Sequence, residues 1–180
     1  MDNLEVLQPI ANRVIDQYFE SGLESLEPRD RIFFLIWAYG GELDNGGHAA
    51  FFYNSEADNY METLDALQQL DLTLFANLLR RAGSLLFSGD VPRDMMARNA
   101  KIDELAEHDP ALDDELARLD HAFFSNGGSD KALETLEGWY THTPERSFDM
   151  RTRASALRFL EHNADFNIRR PQSLDPADQR

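Results

Sequence analysis

Cysteine is absent from the 180 residues. Its absence excludes disulfides, zinc ribbons and thiol catalysis, and leaves the chain indifferent to the redox state of its compartment. Bases are scarce, with 17 Lys and Arg against 33 Asp and Glu and a net charge of −16. Direct binding to DNA, RNA or an anionic membrane needs a basic footprint and is therefore not expected; a basic protein partner is. Long apolar runs are also missing. The longest, residues 32–39, falls short of the roughly 20 residues that span a bilayer. The opening MDNLEVLQP carries acids where a secretory signal carries bases, so a cytoplasmic location is expected.

The signatures of common chemistries are missing as well. There is no Gly-Lys-Ser phosphate loop, no Gly-x-Ser-x-Gly elbow and no Glu-x-x-His step, and none of the five histidines pairs with another at i, i+4. Glu104 and His108, one helical turn apart, could supply half a metal site, but such a pair is more often a surface contact. No metal, cofactor or enzymatic activity is expected.

What is present is enough apolar material for one core: 42% hydrophobic residues, including 12 Phe. Apolar residues recur at helical spacing and no segment alternates as a strand would, so the spacing predicts an all-α, single-domain bundle of about seven to eight helices over residues 1–170, with a loose tail at 171–180. Helices are expected over 4–21, ended by Gly22, and from Pro28 through a stretch apolar on every side. Another begins at Ser55, where Asp58 three residues on suggests a capping box. Further helices are expected over about 72–87, 93–107 started by Pro92, 110–124 capped by Asp109, 129–142 and 144–163. Asn126, Gly127 and Gly128 close the sixth of these by tolerating positive φ.

Asp44-Asn45-Gly46-Gly47-His48 is the one stretch that could be catalytic, because Asp44 and His48 bracket the glycines and an acid–imidazole pair can move a proton. The alternative is structural: Asn-Gly-Gly lets the chain leave a helix through positive φ, and Phe51, Phe52 and Tyr53 anchor the next segment in the core. The structural reading is preferred.

The same stretch carries a resemblance. An acidic residue and Asn-Gly-Gly followed by an aromatic pair and Asn-Ser, here Glu42, Asn45, Gly46, Gly47, Phe51, Phe52, Asn54 and Ser55, resembles the bacterial DNA-mimic protein family, a group sharing an all-helical domain. The similar ground covers about residues 28–90. The resemblance implies a protein that presents carboxylates in place of phosphates and occupies the DNA-binding surface of a transcriptional regulator.

Charge distribution bears on that expectation. By thirds the chain carries 11 acids against 3 bases, 13 against 6, and 9 against 8. A domain of this length is about 40 Å across, and a duplex that long bears roughly 24 charges. A mimic must therefore gather its charge on one side, and a homodimer could extend the strip. The densest run is 103–120, where Asp103, Glu104, Glu107, Asp109, Asp113, Asp114, Glu115 and Asp120 face Arg118 alone. Capping accounts for Asp109 and helix-dipole compensation for Asp113, but neither accounts for Glu115 or Asp120. These eight are the candidate partner-binding residues. The bland alternative is a solvated face that serves solubility. An immunity protein against a basic toxin enzyme would use the same acidity.

Overall fold

The computed structural model describes residues 3–142 apart from residue 89. Among the described residues there are seven α-helices and no strand, as the spacing predicted. The helix expected over 144–163 and the tail after 170 lie outside them.

The first helix, α1 (Asn3–Ser21), includes Pro9 and buries Leu7, Ala11 and Val14 completely, which fall at i, i+4 and i+7 on one face. Gly22 ends it at φ 79°, and a 3₁₀ turn (Leu23–Ser25) leads to the central helix. That helix, α2 (Pro28–Tyr53), starts with Pro28 in its first turn, where the missing N–H costs nothing. Ile32, Phe33, Phe34, Leu35, Ile36 and Tyr39 are all buried. A helix apolar on every side must be surrounded, and α2 contacts each of the other helices.

Three polar side chains clasp α1 and α2 to the last helix, α7 (Gly128–His142). The Arg13 guanidinium donates to both oxygens of buried Asp30 at 2.6 and 2.9 Å, and the Tyr140 hydroxyl donates to Asp30 at 2.6 Å. Burial alone would push the Asp30 carboxyl up, but the Arg13 and Tyr140 hydrogen bonds outweigh it and hold the group below the usual carboxylate range. Arg29 lies over the Tyr140 ring, 3.7 Å from its centroid.

After α2, a 3₁₀ turn (Ser55–Asn59) precedes α3 (Tyr60–Gln69). The expected capping box at Ser55 does not form: the Ser55 hydroxyl bonds to its neighbour Glu56, and regular helix starts five residues later. The next helix, α4 (Thr73–Leu86), buries Phe75, Leu79, Ala82 and Leu86. Pro92 does not open the helix after it. That role falls to Asp94, whose carboxylate accepts from the Ala97 N–H at 2.8 Å and caps α5 (Met95–His108). Asp109 acts one step earlier than expected: it accepts from the Ala111 N–H at 3.0 Å and shapes the turn before α6 (Leu112–Ser125). Gly127 and Gly128, at φ 99° and 53°, then close α6 as expected. Phe123 of α6 is fully buried and packs against Tyr39, Phe75 and the His48 ring, which makes it the aromatic centre of the core.

Candidate partner-binding surface

The elbow positions the acidic helices. Gly46 and Gly47 interrupt α2, with φ/ψ of −176°/25° and 69°/−161°. Only Gly47 lies in the region that favours glycine. Helix then resumes from His48 to Tyr53, so the chain bends without ending the helix. The resumed segment has an N-terminus of its own, and Asp120 of α6 caps it. One carboxylate oxygen accepts from the His48 backbone N–H at 2.8 Å and from His48 Nδ1 at 2.6 Å. A carboxylate can only accept here, so Nδ1 carries the hydrogen. His48 is fully buried, while 24% of the Asp120 side chain remains exposed. A Cβ at Gly47 would stand 2.1 Å from Asp120 Oδ2, so this close approach and the positive φ both require glycine.

The acid–imidazole pair proposed from sequence does not form. Asp44 instead accepts from the Ser129 hydroxyl at 2.7 Å, and the same hydroxyl bonds to the Gly40 carbonyl at 3.1 Å. Asp44 thus pins α2 to α7, and His48 faces Asp120. Phe51 and Phe52 are buried, and Asn54 follows the last helical residue and donates to Glu42 at 2.6 Å. Ser55 opens the 3₁₀ turn, and exposed Asn45 borders the bend.

Arg98 is a functional residue of the scaffold that sequence reasoning missed. It is fully buried and heads the largest buried side chains. Its guanidinium donates to the carbonyls of Phe52, Asn54, Pro92 and Arg93 at 2.6–3.0 Å and pairs with Asp58 at 2.7 Å. These bonds satisfy carbonyls at the C-terminal end of α2 and hold α5 beside it.

On this frame the run over 103–120 divides. Asp103, Glu104, Glu107, Asp109, Asp113 and Asp114 are exposed. Asp103 accepts from the Tyr53 hydroxyl at 3.0 Å. Among the described residues no base pairs with Glu104, Glu107, Asp113 or Asp114. Glu115 is half-buried and lies 3.8 Å from Arg81 and 3.6 Å from Arg118. Asp120 is spent on the elbow and does not belong with the open carboxylates. Helical phase gives the reason: Asp120 stands four residues after Leu116 and three before Phe123, on the buried stripe. The Glu104–His108 pair makes no half-site, because the His108 ring bonds to the Glu104 backbone carbonyl at 2.7 Å. Among the described residues no group of three or more His, Asp or Glu could hold a metal ion, and no helix is long and apolar enough to cross a membrane.

A family model described as DMP19-like protein matches residues 24–143. The chain belongs to the DMP19-like family. This is a family of DNA-mimic proteins and is not known as enzymatic. The match starts after α1 and runs through α7, beyond the stretch 28–90 over which the sequence pattern was specific. The DMP19-like span holds 23 acidic and 9 basic residues, a net charge of −14, so nearly all of the excess charge lies in it. Comparison with curated proteins and with solved structures gives no match.

Proposed function

We propose that this DMP19-like protein acts in the cytoplasm as a non-enzymatic DNA mimic that covers the DNA-binding surface of a basic transcriptional regulator or another basic DNA-binding protein. The observation that carries this reading is the set of unpaired, exposed carboxylates on α5 and on the first turn of α6: Glu104, Glu107, Asp113 and Asp114. Helix neighbours three or four residues apart are about 5–6 Å apart at Cβ, close to the step between phosphates along one strand. Asp113 and Asp114 compensate the α6 dipole, but Glu104 and Glu107 lie toward the C-terminal end of α5, where a negative charge costs stability. A charge kept where it destabilises the helix is accounted for by a partner.

The test begins with a pull-down at low salt, eluted by a salt step. A captured regulator supports mimicry; a captured toxin enzyme supports the immunity alternative. The affinity of the regulator for this protein is then measured with and without saturating operator DNA. Competition is expected, and equal affinities would refute the reading. Changing Glu104 and Glu107 to amides should weaken binding and flatten its salt dependence without lowering the melting temperature, because relieving their like-charge contact returns about 0.2–0.5 kcal/mol; changing Asp113 and Asp114 should weaken binding too, at a small cost in stability from the α6 dipole.

A further inference from the structure

Beside the open carboxylates lies an apolar corner that the fold does not need. Met96 is 78% exposed, and Tyr53, Met61 and Met95 are each about two-fifths exposed. Three sets of bonds bring them together. Arg98 ties the carbonyls on either side of Tyr53 to α5, the Tyr53 hydroxyl reaches Asp103 of α5, and Arg93, two residues before Met95, pairs at 2.6 Å with Glu62, the neighbour of Met61. Met96, Ala100, Asp103 and Glu107 are all exposed and fall at i, i+4, i+7 and i+11, so one face of α5 passes from apolar to acidic along its length. Neither methionine serves the helix start, which Asp94 already caps. Exposed, unbranched thioether side chains adapt to varied apolar surfaces and are used for that at binding sites.

We propose that this methionine–tyrosine corner seats the apolar face of a cationic amphipathic helix of the partner, whose basic face lies on the adjoining carboxylates. Charge complementarity selects the occupant. Asp94 adjoins Met95, Asp103 bonds to Tyr53, and Glu107 extends the same face of α5; Arg93, two residues before Met95, is neutralised by Glu62, which leaves Lys101 as the one base of α5 beside these acids that no ion pair occupies among the described residues. A purely polar polycation would leave the methionines unused, and an uncharged apolar segment would leave the carboxylates unpaired. The inference rests on the reading of the acidic face as a protein-docking surface, and specifies the chemistry of the partner: basic residues interleaved with apolar ones, in helical register.

The test uses two synthetic peptides of about 20 residues, long enough to form helix, both with arginine along one face. One carries leucine on the opposite face, and the other carries serine. Fluorescence anisotropy with the full chain at moderate salt should show the leucine peptide binding about tenfold tighter, the effect of burying one or two apolar side chains. The double variant Met95→Ser, Met96→Ser should lose this preference while keeping its affinity for the serine peptide and the salt dependence of that affinity. The single variant Met96→Ser, at the most exposed of these positions, should lose part of it without touching the fold. Equal binding of both peptides by the unaltered protein would overturn the apolar anchor alone, as would a preference that survives in the double variant. Failure of both peptides to bind at low salt would overturn the anchor and the acidic docking surface together.

Discussion

Replacing Asp120 with alanine tests whether the bend in α2 is held from outside the helix. The carboxylate satisfies two donors of His48, one backbone and one imidazole. Loss of a side-chain cap at a helix N-terminus costs about 0.5–2 kcal/mol, and a hydrogen bond to a charged group contributes about 1.5–3 kcal/mol. The two share one oxygen and do not add in full, and the partial exposure of Asp120 lets water recover some of the loss. The expected cost is therefore about 3 kcal/mol. For a domain of this size that lowers the melting temperature by about 6–12 °C. Asp120→Asn keeps an acceptor and loses the charge at the helix terminus, and should cost about 1 kcal/mol. Urea denaturation followed by circular dichroism measures both, with an unchanged m-value confirming a stability effect. Glu107→Ala, a substitution on the open face, is the comparator and should leave the midpoint nearly where it was. Equal shifts for Asp120→Ala and Glu107→Ala would refute the cap and return Asp120 to the open carboxylates.

The geometry sets further expected outcomes at the glycines, Arg98 and Tyr140. Gly47→Ala should destabilise by about 2 kcal/mol or more, since it combines positive φ with a collision against the capping carboxylate. Gly46→Ala, at an extended φ that any residue adopts but with its new Cβ 2.9 Å from that of Ala50, should also destabilise, by less than Gly47→Ala in the same melts. Arg98→Lys should cost about 3 kcal/mol or more, because an ammonium cannot serve four carbonyls from two segments at once; a variant as stable as the parent would show that the guanidinium cage is dispensable. The Tyr140 hydroxyl is pushed up to about 12, first by burial and then by its bond to Asp30. Its contribution is present below the unfolded value of about 10 and is lost as pH rises from there toward about 12. Tyr140→Phe should therefore flatten part of the decline in stability over that alkaline interval, read from melting temperature against pH.

The parts of the fold legible in the sequence were those decided locally. An all-apolar stretch from Ile32 to Tyr39 reads as a central helix because no solvent-facing side is left for it. Gly22, Gly127 and Gly128 read as helix ends because few residues other than glycine accept their backbone angles. The bend was only half legible: Gly46-Gly47 announces a break, but helix continues after it because a carboxylate 72 residues away supplies the missing cap. Asp44 and His48 are close in sequence and take different partners in space, a divergence that no spacing rule encodes. Arg98 reads as one more surface base, since what buries it is a set of backbone carbonyls and carbonyls leave no mark on composition. Asp120 could have been separated from the open acids by helical phase alone, because it sits on the stripe of Leu116 and Phe123.

The contact between Asp30 and Tyr140 has a consequence for the module as a whole. The DMP19-like span begins at residue 24 and ends at residue 143, and these two side chains, each within seven residues of one boundary, meet at 2.6 Å. The two ends of the family span therefore meet, and α1, which precedes that span, lies across both of them: Arg13 bonds to Asp30 and to the Tyr140 hydroxyl. A chain cut back to 24–143 would bare the apolar surface of α2 and α7 that Leu7, Ala11 and Val14 cover. Removal of residues 1–23 should therefore lower the melting temperature by more than Arg13→Ala does, and an unchanged melting temperature would show that α1 is an appendage.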